Sequence, residues 1–212
     1  MYLSRIELCT QKIDTRRALS SPQIFHAAIE SCFNSFTGEK DRKLWRLDRL
    51  NGKLYLLILS PAPPNFTSFA AQFCAPGITG ETRAYQSLLD RIKPGQRLRF
   101  RLRANPVRSV QTERGARGKI FPHVTISQKQ SWLMKKAESK GFRVEEGGFE
   151  IVETRTVRFY RQGKRNPVEL SVAVFEGELT VTDPVQFTQA LTQGIGRAKA
   201  YGCGLITVLE IG

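Results

Sequence analysis

Between Arg97 and Ala104 the chain alternates without a break, with Arg97, Arg99, Arg101 and Arg103 at one set of positions and Leu98, Phe100, Leu102 and Ala104 at the other. A period of two is the repeat of a β-strand, whose side chains point to opposite faces in turn. The segment therefore predicts a strand with one apolar face and four guanidinium groups on the other. A solvated outer face of a half-buried sheet would read similarly, but such faces usually mix signs, and along this strand no carboxylate offsets the row. Continuing through Arg108, Arg114, Arg117 and Lys119 gives eight basic residues against one acidic residue, Glu113. The whole chain of 212 residues carries 33 Lys and Arg against 19 Asp and Glu, a formal charge of +14. Residues 1–106 hold +9 of this and residues 107–212 hold +5, so both halves are basic. That balance points to a polyanionic partner held through counterion-releasing contacts.

A second basic cluster, Arg155, Arg158, Arg161, Lys164 and Arg165, surrounds Gln162-Gly163 and reads as the tip of a hairpin. Such a tip suits the phosphates of a duplex, although an ordinary solvated loop has the same composition. Phe159 and Tyr160 beside it are candidates for stacking on bases or for packing in the core.

Around these clusters the periodicities predict an order of elements. Met1 to Leu8 reads as a strand, followed by a polar segment through Arg17. A helix is signalled by Ser20, Ser21 and Pro22, with Ile24, Phe25, Ala28, Ile29, Cys32, Phe33 and Phe36 at three-to-four spacing. Asn51-Gly52 predicts a tight hairpin between Trp45–Leu47 and the apolar run Leu54 to Leu59. A mixed, partly helical segment spans Phe66 to Ile92, and the alternating strand closes the first half. Strand, helix, strand, strand, helix, strand is the ferredoxin-like βαββαβ unit, which also underlies a common RNA-recognition module. In the second half, strands are expected at Ile120 to Ile126, Phe149 to Tyr160, Leu170 to Thr182 and Leu205 to Ile211, with helices at Ser131 to Ser139 and Val185 to Thr192. The expected fold class is α+β, two tandem ferredoxin-like, RRM-like domains over residues 1–106 and 107–212, joined near Pro106.

The longest apolar run, Leu54 to Leu59, is far short of the ~20 residues of a membrane helix. Arg5 and Glu7 interrupt any signal-peptide core, so the chain is expected to stay in the cytoplasm, with no membrane partner. Cys9, Cys32, Cys74 and Cys203 are scattered without a C-x-x-C pair and read as four buried thiols. With only His26 and His123 besides, neither a metal nor a cofactor is expected. The run Gly194 to Gly204 invites a nucleotide-loop reading, but those loops follow a strand and open a helix, whereas here a helical pattern precedes and a strand follows. What remains is a loop that can bring backbone N–H groups, Arg197 and Lys199 against a phosphate.

Four segments together carry a resemblance: Met1-Tyr2-Leu3-Ser4, Phe100 to Pro106, Phe175 to Val181 and Gly194 to Leu205. In this order and over nearly the whole length they resemble the CasE family, CRISPR RNA-processing endoribonucleases of the type I-E Cascade complex. The resemblance implies two ferredoxin-like domains and metal-independent cleavage of the CRISPR repeat RNA hairpin at its base. It also implies retention of the product with the other Cascade subunits. RNA brings its own nucleophile, the 2′-hydroxyl, so a protein cleaves it by holding that oxygen in line, moving a proton and stabilising charge. Histidine suits the proton step.

By spacing alone, His26 lies just beyond the apolar stripe of the first helix and reads as a helix-surface residue. The resemblance implies that it is the catalytic histidine, and His123 ranks second. Family members can carry an assisting tyrosine one turn earlier. That position here is Gln23, which has no phenolic proton. The expected products are a 2′,3′-cyclic phosphate and a 5′-hydroxyl. The residues expected to bind RNA are Arg101, Arg103, Arg108, Arg158, Arg161, Lys164, Arg165, Arg197 and Lys199. The alternative is a non-catalytic protein that binds structured RNA.

Overall fold

The computed structural model describes residues 1–33, 42–111, 118–161, 163 and 165–211. The first sheet is built from β1 (Tyr2–Leu8), β2 (Leu44–Leu50), β3 (Lys53–Ser60) and β4 (Glu81–Ala84), in the order β2-β3-β1-β4 with every pair antiparallel. Asn51 and Gly52 both take positive φ, 51° and 76°, the geometry that a two-residue hairpin turn demands. Helices α1 (Ile13–Ser20), α2 (Pro22–Glu30) and α3 (Thr67–Phe73) complete this unit. Phe25 and Ile29 of α2 and Phe69 and Phe73 of α3 are fully buried with Ile6, Leu8, Leu56 and Ile58 of the sheet. The Phe25 ring lies 5.9 Å from Trp45 and 5.3 Å from Phe73.

Two elements of this unit were not expected. Helix α1 occupies the polar segment, where only Thr15 and Ala18 are buried and no apolar stripe marks it. Strand β4 lies inside the segment read as partly helical. All four of its residues are exposed, so no alternation betrays it.

After the short helix α4 (Gln86–Leu89), the second unit runs β5 (Arg97–Ala104), β6 (Val107–Val110), β7 (Lys119–Pro122), α5 (Ile126–Glu138), β8 (Phe142–Arg143), β9 (Phe149–Tyr160), β10 (Pro167–Val181), α6 (Pro184–Gln193), a 3-10 turn (Lys199–Tyr201) and β11 (Ile206–Glu210). Its sheet has the order β11-β5-β10-β8, with β9 also paired to β10, and β6 and β7 form a separate ribbon. With β8 and β9, which both pair with β10, counted as one edge, both sheets show in chain order the same fourth, first, third, second arrangement, the ferredoxin-like topology.

The alternating strand therefore opens the second sheet and does not close the first. Glu81–Ala84 closes the first sheet, and sheet membership changes between Ala84 and Arg97, so a junction near Pro106 cuts into the second unit. The expected strand through Ile126 also ends early, at Pro122. Thr125 caps α5 by accepting from the Gln128 backbone, while the Gln128 side chain accepts from Thr125 N–H, and this capping box starts the helix at Ile126.

Arg46 of β2 is 1% exposed and joins the two sheets. Its guanidinium donates to the carbonyls of Arg101 and Leu205, to Thr207 Oγ1 and to the Asp48 carboxylate. Cys32, Cys74 and Cys203 are buried as free thiols, whereas Cys9 is half-buried. Among the described residues no helix is long and apolar enough to cross a membrane.

Candidate active site

Pro22 starts α2, and the apolar stripe seats Phe25 and Ile29 in the core, which turns His26 and Glu30 outward. The His26 side chain is 38% exposed, and its Nδ1 lies 3.9 Å from Glu30 Oε1, close enough for attraction when the ring is charged but too far for a hydrogen bond. Lys43, entering β2, donates to Glu30 Oε2 at 2.8 Å and sits 5.1 Å from the Phe33 ring centre. One turn before His26, the Gln23 amide oxygen is buried without a hydrogen-bond partner.

The glycine-rich segment follows α6 and precedes β11, as the helix-then-strand context requires, and its 3-10 turn packs against α2 and β2. Gly202, at φ 73°, lies so close to Trp45 that a Cβ would stand 2.7 Å from the indole ring. Lys199 is half-buried in this turn. Burial holds its amine below the usual lysine range, and the neighbouring charges of Arg42 and Lys140 act in the same direction. Arg197, two residues earlier, is exposed.

The long β9–β10 hairpin reaches the same region. Val157 and Phe159 on its inner face are buried with Cys203, and Phe159 meets the Tyr201 ring edge-on at 4.8 Å. Arg158, Tyr160, Arg161 and Arg165 are exposed. Lys164 lies outside the described residues. Tyr160 comes alongside α2, where it lines a depression with Gln23, Ile24 and Ala28. One helix, one turn and one hairpin, far apart in sequence, thus bring an imidazole, a depressed amine and exposed guanidinium groups to one region of the surface.

A family model described as CRISPR associated protein matches residues 1–209. The chain belongs to this family. It is 30% identical to the CRISPR-associated endoribonuclease Cse3 of Thermus thermophilus, over 98% of this chain and 99% of that protein. It is 31% identical over 127 residues to the CRISPR system Cascade subunit CasE of Escherichia coli, covering 57% of this chain and 61% of that one. Among solved structures, CRISPR endoribonuclease Cse3 bound to a 19-nucleotide RNA superposes with a TM-score of 0.82 at 28% identity, over 99% of this chain and 100% of that one. Thermus thermophilus Cse3 bound to an RNA representing a pre-cleavage complex gives 0.79 at 28%, over 98% of both. The resemblance read from the four sequence segments is the family itself.

Within this family member the cations of β5 are not a free row. β10 lies beside it and sets Glu176 opposite Arg101 and Glu178 opposite Arg99. Arg101 pairs with Glu176 and with Asp48 of β2, and Arg97 pairs with Glu178. Arg103 donates to the carbonyls of Tyr201, at 3.2 Å, and Gly202, at 2.8 Å, holding the glycine-rich turn in place. The expectation that no carboxylate offsets this strand is overturned, because its partners come from β10 and β2, which its own sequence does not reveal. Between the units, Arg101 and Arg103 line a cleft of about 430 Å³ together with Arg49, Arg155, Glu153 and Glu176.

Arg108 is exposed on the β6–β7 ribbon, where its charge acts on His123. Burial lowers the His123 pKa, and the charges of Arg108 and Lys135 lower it further. Lys43 and Tyr201 belong to the region around α2 and were not singled out from sequence, where an isolated Lys and a loop Tyr carry no pattern. Among the described residues, no group of three His, Cys, Asp or Glu stands close enough to hold a metal ion.

Proposed function

We propose that the protein is an endoribonuclease that binds the stem-loop of a CRISPR repeat RNA and cuts the precursor at the base of the stem. It then keeps the product as a subunit of a Cascade-type complex in the cytoplasm. The observation that carries this reading is the convergence of His26, the Lys199 turn and the basic β9–β10 hairpin in a chain that matches Cse3 from end to end.

Each part has a role. Arg158, Arg161 and Arg165 grip the phosphates of the stem, and Arg197 continues that contact toward α2. Lys164, which belongs to the same basic run of the sequence, joins them. Arg108 holds a separate stretch of backbone on the ribbon, while Arg101 and Arg103 shape the floor between the units. The 2′-hydroxyl beside the scissile phosphate attacks phosphorus, forming the O2′–P bond as the P–O5′ bond breaks. His26 takes the 2′-hydroxyl proton, and an imidazolium can return one to the departing O5′. Lys199 faces the charge that builds on the non-bridging oxygens, where a half-buried cation acts more strongly than one in water. The products are a 2′,3′-cyclic phosphate and a 5′-hydroxyl, and no step calls for a metal ion or a cofactor.

The test uses a labelled repeat stem-loop. Native protein cuts it once, in excess EDTA as well as without it. His26→Ala leaves it whole while binding it within a few-fold of native affinity, and a 2′-deoxy substitution just upstream of the cut blocks reaction. Cleavage of the 2′-deoxy RNA, or full activity of His26→Ala, rejects the mechanism. Binding without any cut by native protein leaves the non-catalytic RNA-binding reading in its place.

A further inference from the structure

The depression beside α2 has a composition that phosphate binding does not call for. Its apolar floor is lined by Ile24, Ala27 and Ala28, and its polar lining is two carboxamide residues, Gln23 of α2 and Gln72 of α3, with Ser21 and Ser31. Tyr160 closes it from the hairpin side with 60% of its surface exposed, unlike Phe159, whose ring is buried. The depression holds about 540 Å³, within the range of small-ligand sites. Among the described residues no Lys, Arg, Asp or Glu lines it, although the chain carries +14 overall.

A flat ring for stacking, an apolar floor and carboxamides that both donate and accept are the means by which proteins hold an unpaired base. The buried Gln23 oxygen is a second, independent feature. Among the described residues it has no hydrogen-bond partner, so turning the carboxamide outward to meet the N–H edge of a base would give it the donor it lacks. Gln23 is also one helical turn from His26, which sets the depression a single nucleotide's reach from the imidazole.

We infer that this depression is a nucleobase subsite, which takes an unpaired base flanking the scissile phosphate, stacks it on Tyr160 and reads its edge with Gln23 and Gln72. The inference rests on the proposed RNA cleavage. It adds a residue that selects the cleavage position, because a base lodged there fixes which 2′-hydroxyl lies beside His26. Tyr160 and Gln23 then act as positioning residues.

The experiment uses repeat stem-loops that carry 2-aminopurine, one position at a time, at the unpaired nucleotides on either side of the cut, with a 2′-deoxy sugar to keep the RNA whole. At one position the fluorescence changes on binding native protein. That change persists with Tyr160→Phe and is lost with Tyr160→Ala, whose affinity falls about tenfold, as expected for the loss of one base stack. An abasic nucleotide at the same position weakens native protein equally and leaves Tyr160→Ala no weaker than before. With uncapped substrate, Gln23→Ala cuts at more than one position. Native fluorescence and affinity in Tyr160→Ala overturn the subsite while leaving RNA cleavage standing. Failure of native protein to bind any repeat stem-loop overturns both.

Discussion

Arg46 grips Asp48, two residues further along the same strand, with both ends of its guanidinium: Nε donates to Oδ1 at 2.8 Å and Nη2 to Oδ2 at 2.6 Å. The Nη1 that remains crosses to the other sheet, donating to Arg101 O at 2.7 Å and Leu205 O at 3.1 Å. Asp48 in turn accepts from Arg101. An almost completely buried cation is tolerable here because each of its donor nitrogens has an acceptor.

Arg46→Met removes the cation, takes this donor from two carbonyls and leaves Asp48 with Arg101 as its remaining partner. The expected loss is about 3–5 kcal/mol of stability, the usual cost of breaking a buried pair from one side. Urea denaturation followed by tryptophan fluorescence measures it. Arg46→Lys recovers only part, since an ammonium cannot match the planar fork. A loss below ~1 kcal/mol for Arg46→Met would show that the joint rests on apolar packing instead.

Reversing Arg158 and Arg161 to Glu should weaken stem-loop affinity and flatten its dependence on salt, because each lost phosphate contact removes about 0.7–0.9 from the slope of log K against log salt. Affinity measured between low and moderate salt reports both quantities. An unchanged slope would reject the hairpin as a contact surface.

Lys199 gives a pH signature with a definite sign. Its folded-state pKa lies below the ordinary 10.5, so the unfolded chain holds the proton more tightly and the folded chain bears a cost at neutral pH. Stability from this residue rises as pH climbs through the lowered value toward 10.5. Lys199→Met should therefore raise the melting temperature at pH 7, with the gain shrinking as pH approaches 10.5, and should slow cleavage. A lower melting temperature at pH 7 would contradict the assignment.

Gly202→Ala forces a methyl group into the Trp45 ring and strains a left-handed backbone. Overpacking of this kind costs about 1–3 kcal/mol. The turn that carries Lys199 should shift, so cleavage falls along with stability. Gly163→Ala, at φ 71° with open space around it, is the control and should cost only the backbone strain of about 1–2 kcal/mol, without loss of cleavage.

Much of the fold is legible from local pattern. The period of two marks β5, Asn51-Gly52 marks the β2–β3 hairpin, and the stripe of Phe25 and Ile29 places His26 on the outer side of α2. Alternation identifies a strand without naming its neighbour, and for that reason β5 was assigned to the wrong sheet. The same blindness made Arg101 look free, since Glu176 reaches it only through the β5–β10 register. Strand β4 has no buried side and α1 hardly any, so neither left a periodic trace. The surroundings of α2 are hidden for a related reason: Lys43, Tyr160 and the Lys199 turn come to this helix through tertiary packing, and no spacing in the sequence encodes that.

The turn carrying Lys199 stands near the end of the described chain, while His26 stands near its start, and Arg103 and Trp45 clasp the turn only once both sheets have met. In the order of synthesis α2 is therefore made long before the turn that packs on it, and that contact closes only after β5 and the glycine-rich segment have both emerged.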